Sequence, residues 1–320
     1  MDGPLEAVLA RALAPRPDRR DVTAREIAGA LAASRPWSPR RWPLLAVLAA
    51  IAGAALLARP SPAPYADVLV PGGTVTLGDP AGAYPLEPRR TVEIAPFRLG
   101  AGEVHQALWR EVTGIDPSSH RVFDGGLGMY CTTYAGVDYV GDDLPVVCVD
   151  LAGVARFANA LSERHGLDPA YTIEEVAGEE APLVRWDRGA NGWRLPTGDE
   201  WEHAARAGRT GRIEVDDSAD LCAWQNGRDL AFLRLSPRTD DALGCDDGYA
   251  GPAPVGAFPP NAWGLRSMTG NVAEWVWDPA GRQRGTSFEG GEEHLRLSFT
   301  MSRPPETRAL GIGFRLARAP

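Results

Sequence analysis

Glu274 is a carboxylate with apolar neighbours, placed between the turn residue Gly270 and the two tryptophans Trp275 and Trp277. An isolated ionised carboxylate is costly to bury, so Glu274 needs a partner. A cation held by oxygen ligands is one candidate partner, and the backbone amides of a tight turn are the other. The stretch from Val255 to Asp278 is therefore either a metal site or a structural turn.

A second group that could do chemistry is the acidic pair Asp246 and Asp247, which Gly248 follows directly. Two adjacent carboxylates repel, and they tolerate this placement best when a cation binds one of them. No arginine is close in sequence, so the pattern does not predict an ion pair. A calcium loop and a solvated acidic turn are the two interpretations.

The chain has four cysteines, and three interpretations of them stay open: Cys131, Cys148, Cys222 and Cys245. An even number in an exported domain indicates two disulfides, with three possible pairings. Pairing between sequence neighbours closes the shortest loops, and each bridge would then stabilise the fold by roughly 3 kcal/mol. A zinc site is disfavoured because no C-x-x-C pair occurs, and reactive thiols are the third interpretation.

Three separated motifs resemble one known family, that of the formylglycine-generating enzymes or sulfatase-modifying factors. The motif PN-x-W-GL-x-x-M-x-GNV-x-EW lies at Pro260–Trp275, RLPT-x-x-EWE-x-AARAG at Arg194–Gly208, and G-x-GFR-x-x-R at Gly311–Arg318. The resemblance covers about Val68 to Arg318. It implies an α+β, irregular and loop-rich domain with a variant of the C-type-lectin-like fold.

Members of this family that generate formylglycine hold copper with two cysteines in a run that follows the GNV-x-EW motif. The matching positions here are Gly290 and Leu295, and no cysteine occurs after Cys245. Glycine and leucine cannot supply thiolate ligands to copper. We therefore expect no copper and exclude formylglycine-generating oxidase activity.

Acidic residues and a histidine lie where those copper ligands would be, and they are weak candidates for catalytic residues: Glu289, Glu292, Glu293 and His294. Carboxylates and a histidine with shifted pKa values in a cleft could do acid–base chemistry. A relative in siderophore maturation lacks the cysteine pair, so cysteine-independent catalysis stays open. A solvated loop is the alternative.

The resemblance also implies two calcium sites built from loop oxygens, which suit a hard and flexible cation. The first set is Asn226, Gly227, Asp247 and Tyr249. The second set is Ser267, Gly270, Val272 and Glu274, in which Ser267 replaces the usual and stronger Asn or Asp ligand. Solvated acidic loops are the alternative for both.

Local patterns predict the helices that must position these groups. Asp150 is a predicted N-cap of a helix over Leu151–His165, and a helix is expected over Val104–Val112. The spacing of Thr197 and Glu200 predicts a capping box at the start of a third helix.

Alternation of apolar and polar residues predicts strands near the start of the domain. Asp67–Gly78 is interpreted as a hairpin around a Pro-Gly-Gly turn, and Thr91–Leu99 as a second strand pair.

Residues Met1–Arg41 are interpreted as a short cytoplasmic tail. The string RALAPRPDRRDVTAREIAGAL at Arg11–Leu31 resembles the C-terminal end of a bacterial Ser/Thr kinase domain. No Gly-rich loop, HRD catalytic loop or DFG motif occurs, so we expect no kinase activity. The tail is either a kinase remnant or an independent segment.

The uncharged stretch Trp42–Ala58 is a predicted transmembrane helix, at the lower limit of about 17 apolar residues. Arg35, Arg40 and Arg41 precede it and only Arg59 follows closely, which places the N-terminus in the cytoplasm. The alternatives are a buried helix of a soluble protein and a cleaved signal peptide.

A Pro-rich segment, Arg59–Ala66, is a stiff spacer before the globular domain at residues 67–320. The sequence thus predicts a single-pass protein of the bacterial inner (cytoplasmic) membrane, with its C-terminal domain extracytoplasmic. Its expected partners are the membrane, through one helix, and an extracytoplasmic ligand or protein.

Composition excludes one class of partner. The net charge is −9, and all 33 basic residues are arginine. Because no basic face can neutralise phosphates, we expect no nucleic-acid partner. The five histidines lack metal-ligand spacing, so no transition-metal site is expected from them.

The function expected from these features is a non-catalytic, calcium-stabilised binding or sensor module. The alternative is a periplasmic enzyme of the same family with cysteine-independent chemistry, of the siderophore-maturation type.

Overall fold

The computed structural model describes residues 65–116, 121–122, 129–178, 181–215, 221–236 and 239–320. The predicted tail Met1–Arg41, the predicted membrane helix Trp42–Ala58 and most of the predicted spacer lie outside these residues. Within the described ranges, no helix is both long and apolar enough to cross a membrane. The residues from Tyr65 onward belong to one compact unit.

The helices of the described residues are short. The α-helices are α1 (Gln106–Thr113), α2 (Leu151–Arg164), α3 (Gly198–Arg206) and α4 (Leu230–Leu233), and single 3-10 turns run over Leu221–Ala223 and Glu292–His294.

The predicted helix starts are confirmed by their capping hydrogen bonds. The Asp150 side chain accepts a hydrogen bond from an amide of the first turn of α2. Thr197 and Glu200 form the predicted capping box at the start of α3. Helix α1 begins after its N-cap His105 and ends at Gly114, which has a left-handed conformation that favours glycine.

The strands are also short, and they form several small sheets. They are β1 (Asp67–Val70), β2 (Gly73–Leu77), β3 (Arg90–Ile94), β4 (Phe97–Gly100), β5 (Arg121–Val122), β6 (Met129–Tyr130), β7 (Thr133–Tyr134), β8 (Val137–Asp138), β9 (Tyr171–Glu174), β10 (Leu183–Trp186), β11 (Ala273–Val276), β12 (Arg282–Arg284), β13 (Thr300–Ser302), β14 (Ile312–Phe314) and β15 (Ala317–Arg318). Together with the helices, they confirm a mixed α/β, loop-rich domain.

The largest sheet of the described residues has the strand order β13-β12-β11-β14. Strands β11, β12 and β13 pair antiparallel, which places Gln283 opposite Trp275 on one side and Met301 on the other. Strand β14 pairs with β11 in parallel, with Ile312 opposite Ala273. Smaller sheets are formed by β1-β4-β15, β2-β3, β5-β6, β7-β8 and β9-β10.

The strands predicted near the domain start exist, but their predicted partners are wrong. Within Asp67–Gly78, β1 pairs with β4 and β2 pairs with β3, so this stretch is no hairpin. Thr91–Leu99 supplies β3 and β4, which likewise do not pair with each other. Alternation predicts a strand locally, whereas its partner depends on burial of residues such as Val70 and Phe97 in a shared core.

Strand β11 is buried on both sides because it lies between two hydrophobic clusters. Trp275 packs in one cluster with Trp109 and Phe157 of α1 and α2. Val276 packs in the other cluster with Trp201 of α3. The near-continuous apolar character of the GNV-x-EW motif therefore follows from the central position of its strand.

The folded domain begins earlier than residue 67. Tyr65, assigned to the spacer by sequence, is buried in the first cluster. Its hydroxyl donates to the carbonyl of Gly102 at 2.9 Å and accepts from the amide of Leu316 at 3.3 Å. The backbone of Ala66 accepts a hydrogen bond from Ala101. The spacer therefore ends before Tyr65.

Both predicted disulfides are present. Cys131 is bonded to Cys148, and Cys222 is bonded to Cys245. All four cysteines are therefore used, and none is free. The zinc and reactive-thiol interpretations are wrong.

Candidate functional site

One face of the β13-β12-β11-β14 sheet forms the floor of a cavity of about 420 Å³, which we call the sheet cleft. Residues of the sheet form its floor: Ala273, Gln283, Met301 and Ile312. Residues of the adjoining loops form its walls: Arg228, Thr286, Ser287, Glu289, Gly290, His294, Arg303, Thr307, Ala309 and Gly311. The predicted catalytic group thus adjoins a true cavity.

The side-chain alternation of β12 decides which residues face the cleft. Successive residues of a strand point to opposite faces, so Gln283 faces the cleft and Arg284 faces the other way. Arg284 donates to the carbonyl of Ser298 at 2.8 Å and pairs with Glu202 of α3 at 3.2 Å. These contacts on the opposite face fix the register of the strand and the orientation of Gln283.

The Gln283 side chain is fully buried, at 0% exposure. Neither its amide nitrogen nor its amide oxygen has a hydrogen-bond partner among the described residues. Leaving a buried polar group without a partner costs about 1–3 kcal/mol. The amide adjoins the cleft but is covered as it stands, so a ligand would use its donor and acceptor by displacing the atoms that cover it.

Sequence reasoning missed Gln283, because a glutamine between two arginines resembles an exposed polar strand. The one available signal is its position in a strand shortly after the GNV-x-EW motif. That strand pairs with buried neighbours, so its residues alternate between two covered faces.

Arg228 holds one wall of the cleft in place. Its guanidinium is 4% exposed, and it donates to the carbonyl of Glu289 at 2.6 Å. It also pairs with the exposed carboxylate of Asp240 at 3.2 Å. A buried arginine that binds the backbone of the wall has mainly a structural role here.

The structure brings only part of the predicted catalytic group to the cleft. Glu289 and His294 line it, whereas Glu292 and Glu293 do not. The Glu293 carboxylate accepts hydrogen bonds from Tyr84 and Arg212, and the Tyr84 bond is the main factor that lowers the pKa of this exposed group. Glu293 thus belongs to a surface ion-pair network.

His294 is not isolated in the cleft wall. Its Nδ1 atom lies 3.3 Å from a carboxylate oxygen of Asp241.

Gly290 and Leu295, which the resemblance matches to copper ligands, occupy different surroundings. Gly290 lines the cleft. Leu295 is fully buried, in a small hydrophobic cluster with Cys222 and Leu243. With every cysteine in a disulfide, this chain offers no thiolate at either place.

The first predicted calcium set contains two uncommitted oxygens. Asn226 is fully buried and donates to the carbonyl of Gly251 and to Asn271, while its side-chain oxygen has no partner in the described ranges. One carboxylate oxygen of Asp247 accepts from the amide of Tyr249 at 2.7 Å, and the other has no described partner. Unpaired buried oxygens of this kind fit a hard cation.

The raised pKa of Asp247 also supports a cation site. Burial, together with the neighbouring carboxylates of Asp229 and Asp246, raises the pKa of its carboxyl to about 7, although the hydrogen bond from the Tyr249 amide lowers it. A carboxylate that is buried near like charges lacks a counter-ion, which a bound Ca²⁺ would supply.

Asp246 differs from the sequence expectation. It forms an ion pair with Arg234 at 2.8 Å, although the sequence indicated no nearby arginine. Arg234 lies just after α4. The Cys222–Cys245 disulfide links the segment that precedes α4 to the segment that carries Asp246. The two adjacent acids therefore have different surroundings, and only Asp247 has an unused oxygen among the described residues.

In the second predicted calcium set, the Ser267 hydroxyl is buried without a partner among the described residues, whereas the carboxylate already has a cation partner. Both Glu274 carboxylate oxygens accept hydrogen bonds from Arg315, and one also accepts from the indole of Trp201 at 2.7 Å. Glu274 and Arg315 are almost completely buried. Arg315 also donates to the backbone carbonyl of Ser267 at 3.2 Å. The cation beside Glu274 is thus a guanidinium from the third family motif.

The GNV residues instead shape the first site. Gly270 has a φ of 77°, and a β-carbon there would lie 2.1 Å from the carbonyl oxygen of Asn226, so only glycine fits. The amide of Asn271 donates to that same carbonyl at 2.8 Å. Val272 packs in the core beside the Cys131–Cys148 disulfide. These contacts hold Asn226 in position.

Comparisons with known proteins agree with this architecture. The family model described as sulfatase-modifying factor enzyme 1-like domain matches residues 55–320. The chain is 28% identical to the chaperone protein LppX of Paenibacillus barcinonensis over 255 residues, which are 75% of this chain and 81% of LppX.

The chain is also 29% identical to the inactive C-alpha-formylglycine-generating enzyme 2 of Mus musculus over 275 residues, or 79% of this chain and 85% of that protein. Among solved structures, Treponema denticola variable protein 1 has a TM-score of 0.61 at 24% identity, covering 79% of this chain and 95% of its own. That likeness concerns the fold.

Proposed function

The chain belongs to the sulfatase-modifying factor enzyme 1-like domain family, and on this premise we propose that its folded domain is a non-catalytic binding or sensor module. A calcium-stabilised frame carries the sheet cleft, and the ligand binds in that cleft. The observation that carries this proposal is the fully buried Gln283 amide, whose donor and acceptor are unused among the described residues.

The absence of thiol chemistry supports a non-catalytic role. Gly290 and Leu295 occupy the positions of the family's copper ligands, and the four cysteines are all in disulfides. Copper held by thiolates therefore has no ligands in this chain. We expect no conversion of a substrate cysteine to formylglycine.

Calcium would be held by the Asn226 side-chain oxygen, the Asp247 carboxylate and the carbonyls of Gly227 and Tyr249. The two unpaired oxygens and the nearby acidic charge support this donor set. The ion would neutralise Asp247 and join the two segments that the Cys222–Cys245 disulfide already links.

We also propose that Trp42–Ala58 anchors the domain to the bacterial cytoplasmic membrane, with the domain outside. The arginine excess before the apolar stretch supports this orientation. Disulfides persist in oxidising compartments, so the two bridges support an extracytoplasmic location.

The enzymatic alternative rests on Glu289 and His294, which both line the cleft. A carboxylate and an imidazole in one cavity can exchange protons with a bound substrate. This alternative expects turnover that depends on both side chains, whereas the binding proposal expects retained ligand affinity without turnover.

A cleft-filling variant tests the proposal. Ala309 lines the cleft, and Ala309→Trp should fill it while leaving the backbone hydrogen bond from Cys148 intact. The matched control is Ala81→Trp, which adds the same side chain at an exposed loop position. A library of small amides, carboxylates and sugars is screened against the full chain by ligand-observed NMR.

The proposal expects fragments that bind the wild type and Ala81→Trp but not Ala309→Trp. Fragments that bind all three proteins equally, or a cleft that binds none, would contradict it. Turnover of a bound fragment that Glu289→Gln and His294→Gln both abolish would favour the enzyme.

A further inference from the structure

The sheet cleft carries three polar side chains without a described side-chain partner, one on its floor and two on its walls. Gln283 lies in the middle, with an amide that has no described partner. Arg303 lies toward one end, because its backbone amide donates to the carbonyl of Gly281, two residues before Gln283. Glu289 lies toward the other end, where its carboxylate approaches Gly311.

The registers of the strands place Arg303 and Glu289 on opposite sides of Gln283. Gln283 is paired with Met301, so Arg303 is the diagonal neighbour of Gln283 on the same face. The backbones of such diagonal neighbours are about 7–8 Å apart. The carbonyl of Gly311 accepts a hydrogen bond from the amide of Ala273 in β11. The next residue of β11, Glu274, is paired with Arg284, which follows Gln283 on β12. Gly311 and the nearby Glu289 therefore lie on the side of Gln283 that is opposite Arg303. The cleft therefore has a positive group on one side of the Gln283 amide and a negative group on the other.

Two other polar side chains at the cleft also contact neighbouring groups, although Arg228 Nε and His294 Nδ1 have no hydrogen-bond partner among the described residues. Arg228 binds Asp240 and the carbonyl of Glu289, and His294 lies beside Asp241. Among the described residues, the guanidinium of Arg303 and the carboxylate of Glu289 form no side-chain hydrogen bond or ion pair.

We propose that the sheet cleft binds short zwitterionic peptides, two or three residues long. Gln283 pairs with a peptide amide of the ligand, Arg303 with its carboxylate and Glu289 with its ammonium group. The inference rests on the proposed function of the cleft and specifies its ligand class.

Physical complementarity selects this class. A glutamine side chain offers one acceptor and two donors, which match the N–H and C=O of a peptide unit. Opposite charges at the two ends match the termini of a free peptide, and the cavity of about 420 Å³ accommodates a small one. A peptide segment within a longer chain lacks both terminal charges.

The test measures binding of trialanine to the full chain by isothermal titration calorimetry, with the wild type, Gln283→Leu, Arg303→Gln and Glu289→Gln. Each variant should weaken trialanine about tenfold or more, because a tenfold change corresponds to about 1.4 kcal/mol, within the range of one hydrogen bond to a charged or buried group. Arg282→Gln, on the opposite face of β12, is the matched control and should bind as the wild type does.

Modified peptides identify which residue binds the ammonium group of trialanine and which binds its carboxylate. N-acetyl-trialanine lacks the ammonium group, so Glu289→Gln should no longer weaken its binding. Trialanine amide lacks the carboxylate, so Arg303→Gln should no longer weaken that probe. Gln283→Leu should weaken all three.

A stability measurement separates recognition from folding. Gln283→Leu replaces an unpaired buried amide with an apolar group of similar size, so its melting temperature should equal or exceed that of the wild type. Loss of affinity in a variant that melts below the wild type would overturn the recognition role of Gln283.

Two further results would overturn the inference: a wild type that does not bind trialanine, and a Gln283→Leu variant that binds it like the wild type. If fragments still bind the wild type and not Ala309→Trp, only the ligand class is wrong. If fragments also fail to depend on the cleft, the proposed function is wrong as well.

Discussion

At the scale of single residues, the interior contains carboxyl groups whose pKa is raised by burial. Burial raises the pKa of Glu214 to about 7. One of its oxygens lies 3.2 Å from the hydroxyl of Thr269, which also contacts the side-chain oxygen of Gln225. A hydroxyl has one proton, so Thr269 can donate to only one of them. The hydrogen bond from Thr269 favours the ionised carboxylate and lowers the Glu214 pKa, so burial is the cause of the raised value.

This arrangement makes stability depend on pH at Glu214. Its folded pKa of about 7 lies above its ordinary value of 4.5, so the folded state binds the proton more tightly. The resulting stability is fully present below about pH 4.5 and is lost as the pH rises to about 7, on the order of 3 kcal/mol.

Glu214→Gln should remove this part of the pH dependence, because the glutamine amide does not titrate. The measurement is the free energy of unfolding in urea at pH 5 and pH 8, for the wild type and the variant. Glu103, whose burial also raises its pKa to about 7, contributes a change of the same sign in both proteins. An equal pH 5 to pH 8 difference in the two proteins would contradict the role of Glu214.

Glu274 shows what a sequence motif can and cannot predict about one residue. The sequence indicated a buried carboxylate that needs a partner, and this is correct. The partner is Arg315, which is 41 residues away and arrives through the parallel pairing of β11 with β14. Such a contact depends on the tertiary fold, so the cation could not be identified from spacing.

At the scale of elements, the helices were predictable because their signals are local. The start of α3 depends on a reciprocal pair of side-chain bonds between Thr197 and Glu200, three residues apart. Strand partners were not predictable, because β1 and β4 are joined by burial in a shared core rather than by a turn.

The capping box gives a quantitative prediction for α3. Thr197→Ala removes the side-chain acceptor for the amide of Glu200 and should destabilise the domain by about 1 kcal/mol. Thr197→Ser keeps the hydroxyl and should cost much less. Chemical denaturation of the wild type and both variants checks this, and equal losses for alanine and serine would show that packing, not capping, matters there.

The sheet cleft is an element-scale feature that the sequence indicated only in part. The motif match located Glu289 and His294 near a site, and both line the cleft. Gln283 was missed because its burial depends on β11 and β13, which cover it from both sides. A polar residue in a short strand reveals its role only when its neighbours are known.

At the scale of the whole molecule, the family frame was predictable and its chemistry was not. Three motifs identified the family correctly, and its model matches residues 55–320. Both disulfide pairings are confirmed. The second calcium set stays a prediction, and its one carboxylate binds Arg315.

The central claim is that this domain keeps a calcium-stabilised frame around a binding cleft. The most direct measurement is the melting temperature of the full chain with calcium and with a chelator, for the wild type and three variants. Asp247→Asn removes the proposed ligand charge, Ser267→Ala removes a hydroxyl of the second set, and Asp246→Ala removes the neighbouring acid that pairs with Arg234.

Calcium at about 100 times its dissociation constant should stabilise the wild type by about 2.7 kcal/mol, because it binds the native state only. Asp247→Asn should lose most of this gain, and in chelator it should melt at or above the wild type because an unpaired charge near Asp229 is gone. Ser267→Ala and Asp246→Ala should keep the gain. Equal wild-type melting temperatures in calcium and in chelator would contradict the account.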